Sequence, residues 1–177
     1  MNKKVAILRG INVGGKRKVL MNDLKLLCRK IGWMHVETYI QSGNVIFDSD
    51  HSNAQLEEGL EQAIEEQYGF DVPVIVRSSS EIKALIDKNP FYDKDVDIIK
   101  LHLTFLKDSP TNECIEKAKA CVHDQDQFEV VDKNVFIRCE GKYHQSRLTN
   151  AFFEKNLKLG ATTRNWKTVL KLKELCE

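Results

Sequence analysis

The 177-residue chain lacks most of the patterns that announce a chemistry. Its five cysteines (Cys28, Cys114, Cys121, Cys139, Cys176) contain no CxxC pair, and an odd count without that spacing reads as reduced thiols of a cytoplasmic protein. His35, His51, His102, His123 and His144 are scattered, and no pair has metal-ligand spacing with a cysteine or carboxylate, so no metal and no cofactor is expected. Neither Ser42 nor Ser146 lies in a nucleophile elbow. No apolar run is long enough to span a bilayer, and Met1-Asn2-Lys3-Lys4 leads into a strand without an apolar signal region. A cytoplasmic protein with no membrane partner is the expectation. Nothing in the chain assigns a reaction.

What is present is ordinary for a globular protein: 42% hydrophobic and 30% charged residues, enough for a real core. The net charge of +1 hides a segregation. Residues 3–18 hold six cations and no acid, residues 48–66 hold seven acids and no Lys or Arg, and the last forty residues are basic again. Such a separation steers an anionic partner to one surface, or marks solvated helix faces.

Hydrophobic periodicity organises the chain. Val5–Leu8 reads as a strand, followed by a helix with Leu20, Leu24, Leu27, Cys28 and Ile31 inward and Gly32 as its stop. Val36–Gln41 alternates, and Ser42-Gly43-Asn44 turns the chain back into Val45–Phe47. Ser52 with Gln55 forms a capping box ahead of a helix carrying Leu56, Leu60, Ala63 and Ile64, and Val72, Val74 and Val76 alternate in a fourth strand. The order β-α-β-β-α-β is the split βαβ of ferredoxin-like folds. A linking helix opens at Ser78 and Glu81 and ends before Pro90.

The pattern then restarts. Ile99, Leu101, Leu103 and Phe105 alternate with Lys100, His102 and Thr104 as a strand buried on one face. Ser109-Pro110 opens a helix with Ile115, Ala118 and Val122, and Phe128–Val131 and Val135–Cys139 flank a second hairpin. Helices over about 148–159 and 166–175 close the chain, with Gly160 between them. The predicted fold is α+β, two ferredoxin-like units in tandem with extra helices: 1–78 (βαββαβ), a linking helix and loop over 79–95, and 96–177 (βαββα plus a C-terminal helix). Cys28, Cys114 and Cys121 are expected as small core residues, and the carboxylates on exposed helix faces.

Two segments carry the chemistry. The first, Leu8-Arg9-Gly10-Ile11-Asn12-Val13-Gly14-Gly15-Lys16-Arg17-Lys18, combines glycine-bared amides with four cations. Its Gly10-x-x-x-x-Gly15-Lys16 spacing matches a phosphate-binding loop, except that Arg17 stands where the magnesium-holding Ser or Thr belongs. A glycine-permitted turn with solvated lysines and an anion site of another kind both remain open. The second segment, Thr162-Thr163-Arg164-Asn165-Trp166-Lys167-Thr168, reads as a helix N-terminus with Arg164 and Lys167 where acids usually stand. Either a ligand supplies the negative charge, or Thr163 or Asn165 caps the helix while Trp166 enters the core. The hairpin turn at 41–44 is expected at the sheet end opposite the first loop, about 17 Å away. Sheet-face RNA binding is disfavoured, because Val5-Ala6-Ile7-Leu8 and Val45-Ile46-Phe47 offer one aromatic between them.

Four stretches together resemble the bacterial domain-of-unknown-function 1697 family: Leu8–Lys16, Thr38-Tyr39-Ile40-Gln41-Ser42-Gly43-Asn44-Val45, Asn89-Pro90-Phe91, and Ala161–Leu172. The resemblance extends over essentially the whole chain; it implies a duplicated ferredoxin-like fold and no particular activity. One departure is Tyr143-His144-Gln145-Ser146-Arg147, where the family usually has a Gly-x-Ser-Lys type segment. Ser146-Arg147 keeps a hydroxyl beside a cation, but the missing glycine leaves a tight turn there unsupported.

The leading expectation is a site for a small anionic or phosphate-bearing ligand, built from residues 9–18 with 142–147 and 162–168 contributing. Gly10, Gly14 and Gly15 would let the backbone approach. Arg9, Lys16, Arg147 and Arg164 would supply charge, and Asn12, Ser146, Thr163 and Asn165 would orient by hydrogen bonds. The alternative partner is nucleic acid, bound through the same cations; a third reading is a protein-interaction scaffold in which the glycines are structural.

Overall fold

β1 (Asn2–Leu8) forms the spine of a four-stranded antiparallel sheet, pairing with β3 (Asn44–Ser49) on one side and β4 (Val74–Ser78) on the other. β2 (Met34–Tyr39) pairs with β3, so the order is β2-β3-β1-β4. The computed structural model describes residues 1–122 and 125–177; His123, one of the scattered histidines, lies outside them. The chain divides into two units, residues 1–83 with 172–177, and residues 84–171.

In the first unit α1 (Met21–Lys30) and α2 (Asn53–Tyr68) supply the helical layer. Their apolar stripes (Leu24, Leu27, Cys28; Leu56, Leu60, Ile64) bury against Ala6, Leu8, Val45, Phe47, Val74 and Val76. Trp33 stacks on Phe47 with ring centroids 3.7 Å apart. Residues of the opposite strand parity, Val5, Ile7 and Ile46, are buried too, so this sheet offers no open face for stacking bases. Leu20, expected inward, is 68% exposed, because the helix begins one residue later and Leu20 is its extended N-cap.

The Ser52–Gln55 capping box forms as read: Gln55 N donates to Ser52 Oγ, and Ser52 N to Gln55 Oε1 at 3.1 Å. Not all α2 carboxylates face water as expected. Buried Glu57 accepts from Val76 N at 2.8 Å, and Glu61 accepts from Val74 N at 2.8 Å. Ser78 and Glu81 cap α3 (Ser79–Lys88) in the same reciprocal way. Burial pushes the Glu81 carboxyl up, but the Ser78 N–H and hydroxyl, the Asn53 amide and Arg77 outweigh it and hold its pKa below the usual carboxylate range.

The second unit has the same element order. β5 (Leu101–Leu106), α4 (Asn112–Ala120), β6 (Gln127–Val131), β7 (Asn134–Arg138), α5 (Asn150–Leu157) and β8 (Ala161–Asn165) give a sheet ordered β6-β7-β5-β8. α6 (Trp166–Leu175) follows. Three expectations are corrected here. Residues 161–165 form a strand rather than a helix lead-in: β5 supplies an antiparallel partner with Thr104 opposite Thr163 and Leu103 opposite Arg164. β5 is buried along its whole length, including His102 and Thr104, while Ile99 precedes the strand in a 3₁₀ turn and is 80% exposed. Cys28 is buried, but Cys114 is half-buried and Cys121, at the end of α4, is exposed. Among the described residues the fold is thus a mixed α+β one, with two four-stranded antiparallel sheets and six helices.

Candidate functional site

The glycine-rich segment folds as a small hairpin. Asn12 N donates to Arg17 O at 3.1 Å and Lys16 N to Val13 O at 3.1 Å, with Gly14 (φ 59°) and Gly15 (φ 73°) as the two central residues. Positive φ at both centres is the geometry that glycine favours in a two-residue turn. The amides of Asn12 and Lys16 are therefore spent within the turn. The Asn12 side chain is spent as well: Nδ2 donates to Val19 O and Gln41 O, both at 2.9 Å, and Oδ1 accepts from Val19 N at 2.9 Å. Arg9 is half-buried, with its N–H on Pro73 O. Arg17 pairs with Asp71 at 3.3 Å and lies over Gly10. Lys16 is exposed at the turn.

The Asn12–Gln41 bond corrects the expected topology. β1 and β2 run the same way because both are antiparallel to β3, so the loop after β1 and the turn after β2 lie at the same end of the sheet. Gly43 belongs to this junction. Its N–H donates to Ile40 O at 3.4 Å, its carbonyl accepts from Leu8 N at 2.8 Å, and a Cβ there would stand 2.6 Å from Ile11 Cδ1.

The remaining candidates lie in the second unit. A tight turn does form at 143–146 without glycine, Ser146 N donating to Tyr143 O at 3.0 Å. Extended φ at Ser146 needs no special residue. Ser146 Oγ donates to Asp126 Oδ2 at 2.5 Å and accepts from Leu148 N at 3.1 Å, so its hydroxyl holds the chain; Arg147 is exposed. Thr163 Oγ1 bonds Asn150 Oδ1 at 2.6 Å and Thr104 Oγ1 at 2.7 Å. Arg164 is buried, donating to Thr162 Oγ1 at 3.1 Å and Thr163 O at 3.0 Å, and burial pulls its pKa down to about 10. Asn165 Oδ1 accepts from Thr168 N at 2.8 Å, capping α6, and Trp166 is fully buried, 6.2 Å from Phe136. The candidate set therefore divides between the units: residues 9–16 share one hairpin, and 146–147 and 163–165 fall in the other unit.

A cleft of about 330 Å³ opens in that second unit, between the 98–99 turn, the 141–143 turn and the β8–α6 junction. His102 and Tyr143 line it, their rings stacked 4.2 Å apart and nearly parallel at 17°. His102 is only 8% exposed, and its buried Nδ1 has no well-aligned hydrogen-bond partner. Burial lowers the His102 pKa, with the Lys100 carbonyl pulling the other way; burial raises that of Tyr143, opposed by the Thr163 hydroxyl. Lys142 and Lys167 are exposed lining residues, and Asn165 stands between strand and helix. Among the described residues no carboxylate lines this cleft, whereas a groove of about 340 Å³ in the first unit is lined by Glu58, Glu61, Glu65 and Asp71.

Lys142 and Lys167 fall within the 142–147 and 162–168 segments singled out from sequence, but His102 and Ile99 do not. Alternation assigned them to the opposite sides of a half-buried strand, and only the strand's full burial reveals the histidine. Among the described residues, no group of three or more His, Cys, Asp or Glu side chains is placed to hold a metal ion, and no helix is long and apolar enough to cross a membrane.

No curated protein matches the chain. Among solved structures it is similar to a conserved bacterial protein from Streptococcus pneumoniae, with 25% sequence identity, a TM-score of 0.79, and 99% of each chain covered. The family model described as "Protein of unknown function (DUF1697)" matches residues 1–136, ending before the Ala161–Leu172 segment, and the chain belongs to that family.

Proposed function

We propose that the chain is a cytoplasmic binding protein for a small anionic ligand, and that its site is the cleft of the second unit. We read each unit as a ferredoxin-like βαββαβ module, the pair forming a tandem. One observation carries the functional reading: among the described residues, Lys142 and Lys167 have no ion-pair partner and line a cleft that holds no carboxylate and a buried histidine whose Nδ1 lacks a well-aligned partner. Unpaired ammonium groups beside a partly desolvated surface attract an anion more strongly than fully hydrated ones. The 9–18 hairpin contributes less to this reading, because its Asn12 side chain and two of its amides are already bonded.

The test is thermal unfolding of the full chain with inorganic phosphate, comparing Lys142→Ala, Lys167→Ala and Lys16→Ala. Phosphate at a hundred times its dissociation constant stabilises by about 2.7 kcal/mol. That gain should vanish in the first two variants and survive in the third. Loss only in Lys16→Ala would move the site to the hairpin. Binding that grows with oligonucleotide length and falls steeply with salt would instead favour the nucleic-acid reading.

A further inference from the structure

The cleft's walls do not match its cations. Bare phosphate needs only charge and donors, yet about 330 Å³ is room for roughly ten water volumes, and much of the lining is apolar. Ile99, 80% exposed, lines the cleft's edge on a braced segment. The bracing is visible: Asp97 Oδ1 accepts from Ile99 N at 3.1 Å, and Cys139 N donates to Lys100 O at 2.9 Å. The Tyr143 and His102 rings, which line the same cleft, form a flat stacked aromatic pair. An apolar residue on a braced turn and an aromatic pair in one cleft suit a planar ring, which loses water against them without reorganising the protein.

The polar side has its own selectivity. Two lysines present compact charges with rotatable donors, suited to a dianionic phosphate rather than to the flat, bidentate geometry that arginine reads. Asn165 gives its Oδ1 to the helix cap, so its amide nitrogen is the donor left over. Resting on the cleft reading above, we propose that the ligand is a phosphate monoester that also bears a planar ring, the chemistry shared by nucleoside monophosphates (ring linked through the ribose) and aryl phosphates (ring bonded to the ester oxygen). The phosphate sits at Lys142 and Lys167, and the ring lies against Ile99 and the Tyr143–His102 pair.

Isothermal titration of the full chain with inorganic phosphate, phenyl phosphate, adenosine 5′-monophosphate and adenosine tests this. Each is titrated at constant ionic strength into wild type, Ile99→Ala and Lys142→Ala. A phosphate monoester bearing a planar ring should bind at least tenfold more tightly than inorganic phosphate, about 1.4 kcal/mol, and adenosine should bind worst. Ile99→Ala, a truncation at an exposed position, should erase the gain from the ring while leaving inorganic phosphate affinity unchanged. Whichever ring-bearing phosphate binds more tightly identifies the source. Equal affinity for inorganic and phenyl phosphate, or a ring gain indifferent to Ile99→Ala, overturns the ligand class while the cleft stands. Anion binding that ignores Lys142→Ala overturns the cleft reading and this proposal together.

Discussion

Asn12 and Gln41 are 29 positions apart in sequence, yet Asn12 Nδ2 donates to the Gln41 carbonyl at 2.9 Å. The same amide spans the hairpin base to Val19, so one side chain ties the loop after β1 both to itself and to the turn after β2. Asn12 can do this because it occupies the left-handed region (φ 57°), which asparagine tolerates better than most residues. The segment that looks most like a phosphate loop in sequence is therefore a fastening between two connections.

Asn12→Ala should destabilise the chain by about 1–3 kcal/mol, since it unpairs several backbone groups at once. Urea unfolding followed by tryptophan fluorescence measures this. Phosphate binding at the cleft should be unaffected, and a stable Asn12→Ala protein that loses phosphate binding would show that Asn12 contacts the ligand.

Two glycines separate backbone strain from crowding. Gly14 and Gly43 both have positive φ, but nothing lies within 4 Å of a Cβ built on Gly14, while one on Gly43 meets Ile11 Cδ1 at 2.6 Å and Leu8 Cβ at 2.9 Å. Gly14→Ala should cost about 1 kcal/mol from the left-handed backbone alone. Gly43→Ala adds the overpacking penalty, about 1–3 kcal/mol more. Equal urea midpoints for the two variants would refute the close approach at Gly43.

Burial holds the His102 pKa below its ordinary value near 6.5, so the unfolded chain takes up a proton that the folded chain resists. The stability that neutral His102 contributes is complete above about pH 6.5. It is lost as the pH falls from there through the folded-state pKa. His102→Phe keeps a ring against Tyr143 and removes the titration. Between pH 7.5 and 5, wild type should lose more stability than His102→Phe; parallel losses would place the acid sensitivity in other groups.

Much of this architecture is legible in the residues, for identifiable reasons. The reciprocal caps at Ser52–Gln55 and Ser78–Glu81 depend on local contacts, and the structure forms both. Alternating Val and Ile mark strands because each pleat buries one parity. β8 escaped notice because Thr162, Thr163, Arg164 and Asn165 have no apolar alternation; it is a strand because β5 offers it a ladder. The opposite-ends expectation for the 9–18 loop and the 41–44 turn failed because strand direction depends on the antiparallel partner between β1 and β2. For the candidate site, the cations of 142–147 and 162–168 were visible. Arg164 being turned inward and His102 being covered depend on tertiary burial, which local spacing does not encode.

The carboxylates of Glu57 and Glu61 have a consequence beyond stability. β4 is the last strand on its side of the sheet, where unpaired N–H groups would invite an extended segment to dock. Val74 and Val76 already give theirs to the helix above. The other margin, β2, is broken by a register shift between Met34 and Glu37, with His35 in the left-handed region. Neither border of the first sheet is a template for β-augmentation, so a peptide added as a fifth strand is disfavoured there, and so is edge-to-edge aggregation.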